Sequence, residues 1–284
     1  MPADLKAELA WGVSETGKVL DDIVRRSGSC QEMYSWMTST NITRTIYTMA
    51  GWIENPEVRR KVGLAYSLHC WSLLLMDGVI DNDLGFPPAQ LAAAAHEALR
   101  ASLLRLEQLN VVDAIYDLLA ERHAVVWKRV KDEPTSAIRS LEEWTELAHV
   151  KAGWLLESYA RMSLKICGRE EDADEVAALV APLGVIFTAL DDARDAYKSS
   201  EAHANLKSLI ISGVIDREAA VRAIGSAVGA YEKGVAIHPP VDGFIAYQRI
   251  FNAGTFWIYS DPAMAVPKHF SDLKARYNQS TGPV

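Results

Sequence analysis

The chain has 284 residues, 49% hydrophobic, 23% charged and 8% aromatic, the balance of an ordinary globular protein, which excludes a disordered, collagen-like or disulfide-stapled chain. The formal charge is −8, and six of the 37 acids (Asp77, Asp81, Asp83, Asp191, Asp192 and Asp195) fall in two short clusters. The other 31 acids nearly balance 29 bases, so no basic surface for nucleic acid is expected.

Cys30, Cys70 and Cys167 lie far apart with no CxxC pair, which argues against a disulfide framework or structural zinc and for a reducing, cytoplasmic setting. The start lacks a basic region followed by an apolar core, so no secretory signal is expected. No uncharged stretch exceeds 15 residues, the length of Val176 to Leu190, itself interrupted by Pro182 and Gly184, which falls short of the roughly 18 residues a membrane span needs.

Helical punctuation recurs in chain order. Asn55-Pro56-Glu57 is a start signal: an N-cap candidate, proline at the first helical position and an acid beside the positive end of the dipole. The helix it opens is expected to run to about Asp83 and to be closed by Gly85 and Pro87-Pro88. Ser140 and Glu143 form a capping box opening a long segment that ends near Gly168. Asp216 opens another, ended by His238 and Pro239-Pro240. Alternating strand patterns with tight turns are absent. The expectation is an all-α fold: one helical domain over 1–284, a bundle of about ten helices around a central apolar cavity.

Two segments, 63–76 and 176–190, carry no Lys, Arg, Asp or Glu, as befits helices buried on every face. Each then runs into carboxylates. Asp77 and Asp81 share one helix face, as do Asp191 and Asp195. Acids at a helix C-terminus oppose the macrodipole and repel one another, each effect costing about 0.3–1 kcal/mol, so a counter-charge is expected. Hard carboxylate oxygens suit Mg²⁺, which keeps positions open for water and phosphate oxygens. An EF-hand loop and the Glu-x-x-His pairs of a di-iron bundle are both missing.

The run LGVIFTALDDARD (Leu183 to Asp195) resembles the second aspartate-rich motif of the trans-isoprenyl diphosphate synthases, LGxxFQxxDDxxD. Asp77 to Asp81 is similar to their first motif, DDxxD, with Gly78 in place of the second acid. Lys151-Ala152-Gly153 resembles their diphosphate-binding lysine motif. Within this superfamily, which includes the class I terpene synthases, the pattern is most similar to the moenomycin-biosynthesis prenyltransferases and to bacterial cyclases with synthase-like motifs. Asp83-Leu84-Gly85 and Asn205-Leu206 add to that likeness.

The resemblance implies a prenyl diphosphate substrate, Mg²⁺ (three ions with bound diphosphate) held by Asp77, Asp81, Asp191 and Asp195, and a possible homodimer. It implies substrate contacts from Lys151, Lys198, Phe187, Thr188, Leu73, Ser72 and Tyr66. Leu73 and Ser72 would set chain length, and the small Ser72 leans the substrate from C15 toward C20. The adjacent arginines and the Gly-Lys-x-x-Arg region that hold a second diphosphate in chain-elongating members are absent, and Arg59, Arg60 and Lys61 are expected to face solvent. The leading expectation is a class I terpene synthase. The alternatives are a prenyltransferase using an acceptor other than isopentenyl diphosphate, and a non-catalytic subunit that regulates a prenyl synthase.

Overall fold

The computed structural model describes residues 3–39, 42–82, 84–109, 138–195, 204–240 and 244–260. Among them the chain is helical and contains no strand. In order run α1 (Ala3–Arg26), α2 (Gln31–Ser39), α3 (Ile42–Tyr47), α4 (Pro56–Asp81), α5 (Pro88–Glu107), α6 (Leu141–Ala148) and α7 (Trp154–Ile166). Then follow α8 (Ala173–Val180), α9 (Leu183–Asp195), α10 (Leu206–Ile211), α11 (Arg217–Ile237) and α12 (Phe244–Ser260). A π-helical turn, His149–Gly153, joins α6 to α7 without a break, so the segment expected from Ser140 to Gly168 is one helical run with a widened, underwound middle.

The start signals act as written. The Asn55 side chain accepts from the backbone N–H groups of Glu57 and Val58 at 3.0 and 3.2 Å. Ser140 accepts from Glu143 N–H, whose own carboxylate takes the Arg139 N–H at 2.8 Å. Asp216 accepts from Ala219 N–H at 2.8 Å. The end of α4 is a correction: Asn82, in the left-handed region at φ 51°, closes the helix, and Pro88 opens α5 instead of terminating α4. A second correction concerns 176–190, which is two helices and not one. Pro182 brings no N–H, and the chain turns at Ala181–Pro182 before α9 begins.

α4 is apolar all round because it divides two packed cores. Leu64, Leu68, Trp71 and Leu75 lie on one stripe against α1, α2 and α5. Val62, Tyr66 and Cys70 lie on the opposite side, in a larger cluster built from α6, α7, α9, α11 and α12. Two stretches, Pro56–Asp81 and Glu170–Ala193, are long and apolar enough to cross a membrane, contrary to the expectation from uncharged run length. Buried core helices pass the same test, and 67% and 50% of the apolar 18-residue windows in these stretches are packed inside the protein.

α1 is tied to α4 by a buried ion pair. Arg59 donates to both Glu8 carboxylate oxygens at 2.7 and 2.9 Å, and to the carbonyls of Ile53 and Glu54. Arg59 was expected at the surface with its two basic neighbours; its side chain is only 9% exposed. A guanidinium can enter the interior here because a fork-shaped carboxylate and two carbonyls meet its donors.

Candidate functional site

Helix direction decides at which end of the bundle the acids lie. Tyr66 on α4 donates toward the Tyr159 carbonyl and lies 3.1 Å from Ser163 Oγ, while His69 Nδ1 is 2.8 Å from Tyr159 Oη. Beyond them Ser163 and Cys167 reach the carbonyls of Met49 and Trp52, just before α4 starts. α7 therefore runs antiparallel to α4. Lys151 lies eight residues before Tyr159 and Asp77 eight residues past His69, roughly 12 Å along either helix, so both fall at the same level and the same end.

α9 runs antiparallel to the α6–α7 run in turn, with Gly184 against Gly153 and Asp192 against Trp144. Its acidic C-terminus consequently points to the same end as that of α4. Asp77 continues the Tyr66–Cys70–Leu73 face of α4, which looks into the core that contains α9.

The approach of α9 to the π turn is as close as backbones allow. A Cβ on Gly184 would lie 2.5 Å from Gly153 N and 2.6 Å from Gly153 Cα. The glycine of the LG sequence thus sits on the backbone of the KAG glycine across the helix contact, and Lys151 and Asp192 lie near enough to interact electrostatically.

The expected site residues separate into groups. Asp77 is partly buried; Asp81 and Asp191 are exposed. Phe187 is partly buried and Thr188 buried, one turn below Asp191. Leu73 is partly buried one turn below Asp77. Ser72 is buried, with its hydroxyl donating to the His69 carbonyl at 2.7 Å. Trp71, which could have blocked the space beside Ser72, is held on the other side of α4, edge-on to Trp36 with Nε1 donating to Thr43 Oγ1.

The structure does not bring Tyr66 to this group. Its ring stacks on Tyr159 at 4.5 Å and its hydroxyl is engaged deep in the core. Burial pushes the Tyr66 and Tyr159 hydroxyls well above the ordinary phenol range, and the Cys70 thiol up to about 12. Asp195 closes α9, whereas Asp83 and Lys198 lie outside the described residues.

Asp192 has a different task from its neighbours. Only 7% exposed, it accepts from Trp144 Nε1 at 2.9 Å and Leu206 N–H at 2.6 Å, both on Oδ2, while Asn205 Nδ2 donates to its carbonyl. Burial raises its pKa to about 7, against the lowering influence of the Leu206 N–H, Lys151 and Trp144. It joins α6, α9 and the start of α10. Residue spacing gave no hint of this, and the signal lay in Trp144, an indole needing an acceptor inside a capping-box helix.

Tyr259 and Lys207 complete this end. Tyr259 Oη donates to the Ala189 carbonyl at 2.6 Å, Lys207 Nζ sits 5.5 Å from its ring centre, and Arg217 holds the carbonyls of Tyr259 and Ser260. Partial burial, with Arg217 nearby, pushes the Lys207 ammonium pKa down. Among the described residues no three His, Cys, Asp or Glu side chains converge as a ready-made metal cage. The donors suit an ion that takes one or two carboxylates and leaves the rest of its shell to water and phosphate oxygens.

No family model matches the chain, and no curated protein matches it. Solved structures do. The chain is similar to geranylgeranyl pyrophosphate synthase from Corynebacterium glutamicum, with TM-score 0.63 and 15% identity over 92% of this chain and 96% of that one. It is also similar to octaprenyl pyrophosphate synthase from Helicobacter pylori, with TM-score 0.53 and 10% identity over 93% and 98%. The chain has the isoprenoid synthase fold. At these identities the likeness is one of fold, and activity has to be argued from the residues.

Proposed function

We propose that the protein is a class I terpene synthase that ionises a linear C15 or C20 prenyl diphosphate with Mg²⁺ and converts the allylic cation to a terpene. The observation that carries this reading is the common placement of the two acidic helix ends and Lys151 at one end of the bundle, above an apolar interior. Asp77 and Asp81 on one side, and Asp191 and Asp195 on the other, would hold the ions. Bound Mg²⁺ supplies the positive charge that stabilises a departing diphosphate. Lys151 adds a point charge for the same leaving group. Phe187, Leu73 and Thr188 line the descent from the acids, where a cation must be kept from water.

Chain elongation is disfavoured by the missing arginine pair and Gly-Lys-x-x-Arg region of the sequence, and the basic run of α4 does not replace them. An elongating enzyme needs cationic side chains for a second diphosphate. Of the basic run in α4, Arg59 is spent on Glu8, Arg60 lies over the Trp11 ring, and Lys61 pairs with Glu57. All three sit near the far end of α4, roughly 25 Å from Asp77 at 1.5 Å per residue.

The test is incubation with C10, C15 and C20 diphosphates and Mg²⁺, followed by analysis of the organic extract. A terpene formed without any acceptor is the expected result. Turnover only with an added acceptor shifts the assignment to the prenyltransferase reading, and no diphosphate release under any condition assigns the chain to the non-catalytic class.

A further inference from the structure

α12 lies against the core, and its described side chains include a buried polar stripe. Gln248, Asn252 and Thr255 are all buried, at 1%, 1% and 0% exposure. At steps of three and four residues they share a face with Tyr259, whose hydroxyl reaches α9. Arg249, bonded to Glu232, and Phe256, packed over Gly225, lie about a quarter turn away and meet α11. The polar stripe therefore looks toward α9 and the core.

Gln248 Nε2 donates to Asn252 Oδ1 at 2.8 Å, which leaves Gln248 Oε1 and Asn252 Nδ2 buried without partners. Exchanging oxygen and nitrogen in both amides reverses the internal bond but still leaves one acceptor and one donor. Two apolar side chains would avoid both desolvated atoms, so the pair is expensive unless something else completes it.

We propose that Gln248 and Asn252 form a binding site for a hydroxyl group carried by a hydrophobic ligand. A hydroxyl offers one donor and lone pairs on a single atom, which matches the unfilled acceptor and donor together. An ammonium, a carbonyl or a hydrocarbon could satisfy at most one of them. Asn252 and Gln248 lie seven and eleven residues before Tyr259, roughly 10 and 16 Å from the acidic end. A hydroxyl docked there belongs to a molecule whose hydrocarbon body fills the interior. This rests on the proposed reading only in taking the ligand to be a prenyl or terpene hydrophobe. The alcohol could be an acceptor for the prenyl group or the product itself.

The probes are farnesol and its saturated hydrocarbon counterpart, farnesane, titrated into the full-length protein and followed by calorimetry and thermal shift. Wild type is expected to bind farnesol about tenfold or more tightly than farnesane. Gln248→Leu/Asn252→Leu is expected to lose that preference while keeping its affinity for farnesane. Equal binding of the two probes by wild type overturns the proposal, whatever the variant does, and so does a farnesol preference that survives the double substitution. Product analysis separates the sources: enrichment of an alcohol product in wild type and not in the variant assigns the hydroxyl to the product, and acceptor-dependent turnover assigns it to the acceptor. Neither binding result depends on turnover, so failure of the site and failure of the proposed enzyme activity are read independently.

Discussion

Asp192 bears two opposed demands at the residue scale. Its Oδ2 gathers two N–H donors that stabilise a carboxylate, yet its burial favours the acid form more strongly, and the pKa rises from 3.8 to about 7. In the unfolded chain the group ionises near pH 4, so between pH 4 and 7 the folded state binds the extra proton. Stability from this group is full below about pH 4 and is lost as pH rises through 7, by up to roughly 4 kcal/mol at 1.36 kcal/mol per pKa unit. Denaturant melts of metal-free protein should show wild type losing stability over that window relative to Asp192→Asn, which has no proton to release. Parallel slopes for the two proteins would place the charge of Asp192 in solvent. Asp77→Ala and Asp191→Ala test the proposed ion sites instead. Each is expected to lower prenyl diphosphate turnover by two orders of magnitude or more with the helical circular dichroism unchanged, and wild-type rates in either would make these acids surface decoration.

At the scale of elements, the decisive contact is between α9 and the π turn. Gly184→Ala sets a methyl against the Gly153 backbone, which has no flexible end to swing aside, so roughly 1–3 kcal/mol should be lost, toward the upper figure. Gly229→Ala, in α11, meets nothing within 4 Å and should gain about 0.5–1 kcal/mol from helix propensity. Opposite shifts in melting temperature check the pair, and a neutral Gly184→Ala would mean that the two helices can separate freely. This contact also shows what the sequence could convey. Caps at Asn55, Ser140 and Asp216 were legible because capping is decided within four residues. The acids of α4 and α9 were legible because helical spacing fixes a shared face. The π turn and the inward turn of Arg59 were not, since each depends on a partner distant in sequence: Gly184 and Glu8. The break at Pro182 had a local signal, the missing N–H, which the charge-free run around it outweighed. Asn82 as the end of α4 was missed for a smaller reason, because Gly85 and two prolines nearby gave louder stop signals.

For the whole molecule, α4 matters most, since it separates two cores and carries the first acidic pair on the face of one of them. Its foot is fixed to α1 by Arg59 and Glu8. Removing one partner strands a buried charge, so Arg59→Met alone should cost about 3–5 kcal/mol, whereas Arg59→Met with Glu8→Leu should recover much of that loss. The head of α4 should respond to ligand instead. If its acids and those of α9 hold ions against a diphosphate, the two partners bind as one unit: the acids repel a bare diphosphate, and Mg²⁺ alone finds no more than one or two carboxylates. Thermal shift with inorganic diphosphate and Mg²⁺ together should exceed the sum of the separate shifts. Saturation at one hundred times the dissociation constant adds about 2.7 kcal/mol to stability. Asp77→Asn and Asp191→Asn should each abolish the synergy, because either side alone leaves the diphosphate unneutralised. Lys151→Met should weaken the response to diphosphate while leaving the small response to Mg²⁺ intact. A synergy that survives both aspartate substitutions would move the anion site away from the acidic ends of α4 and α9.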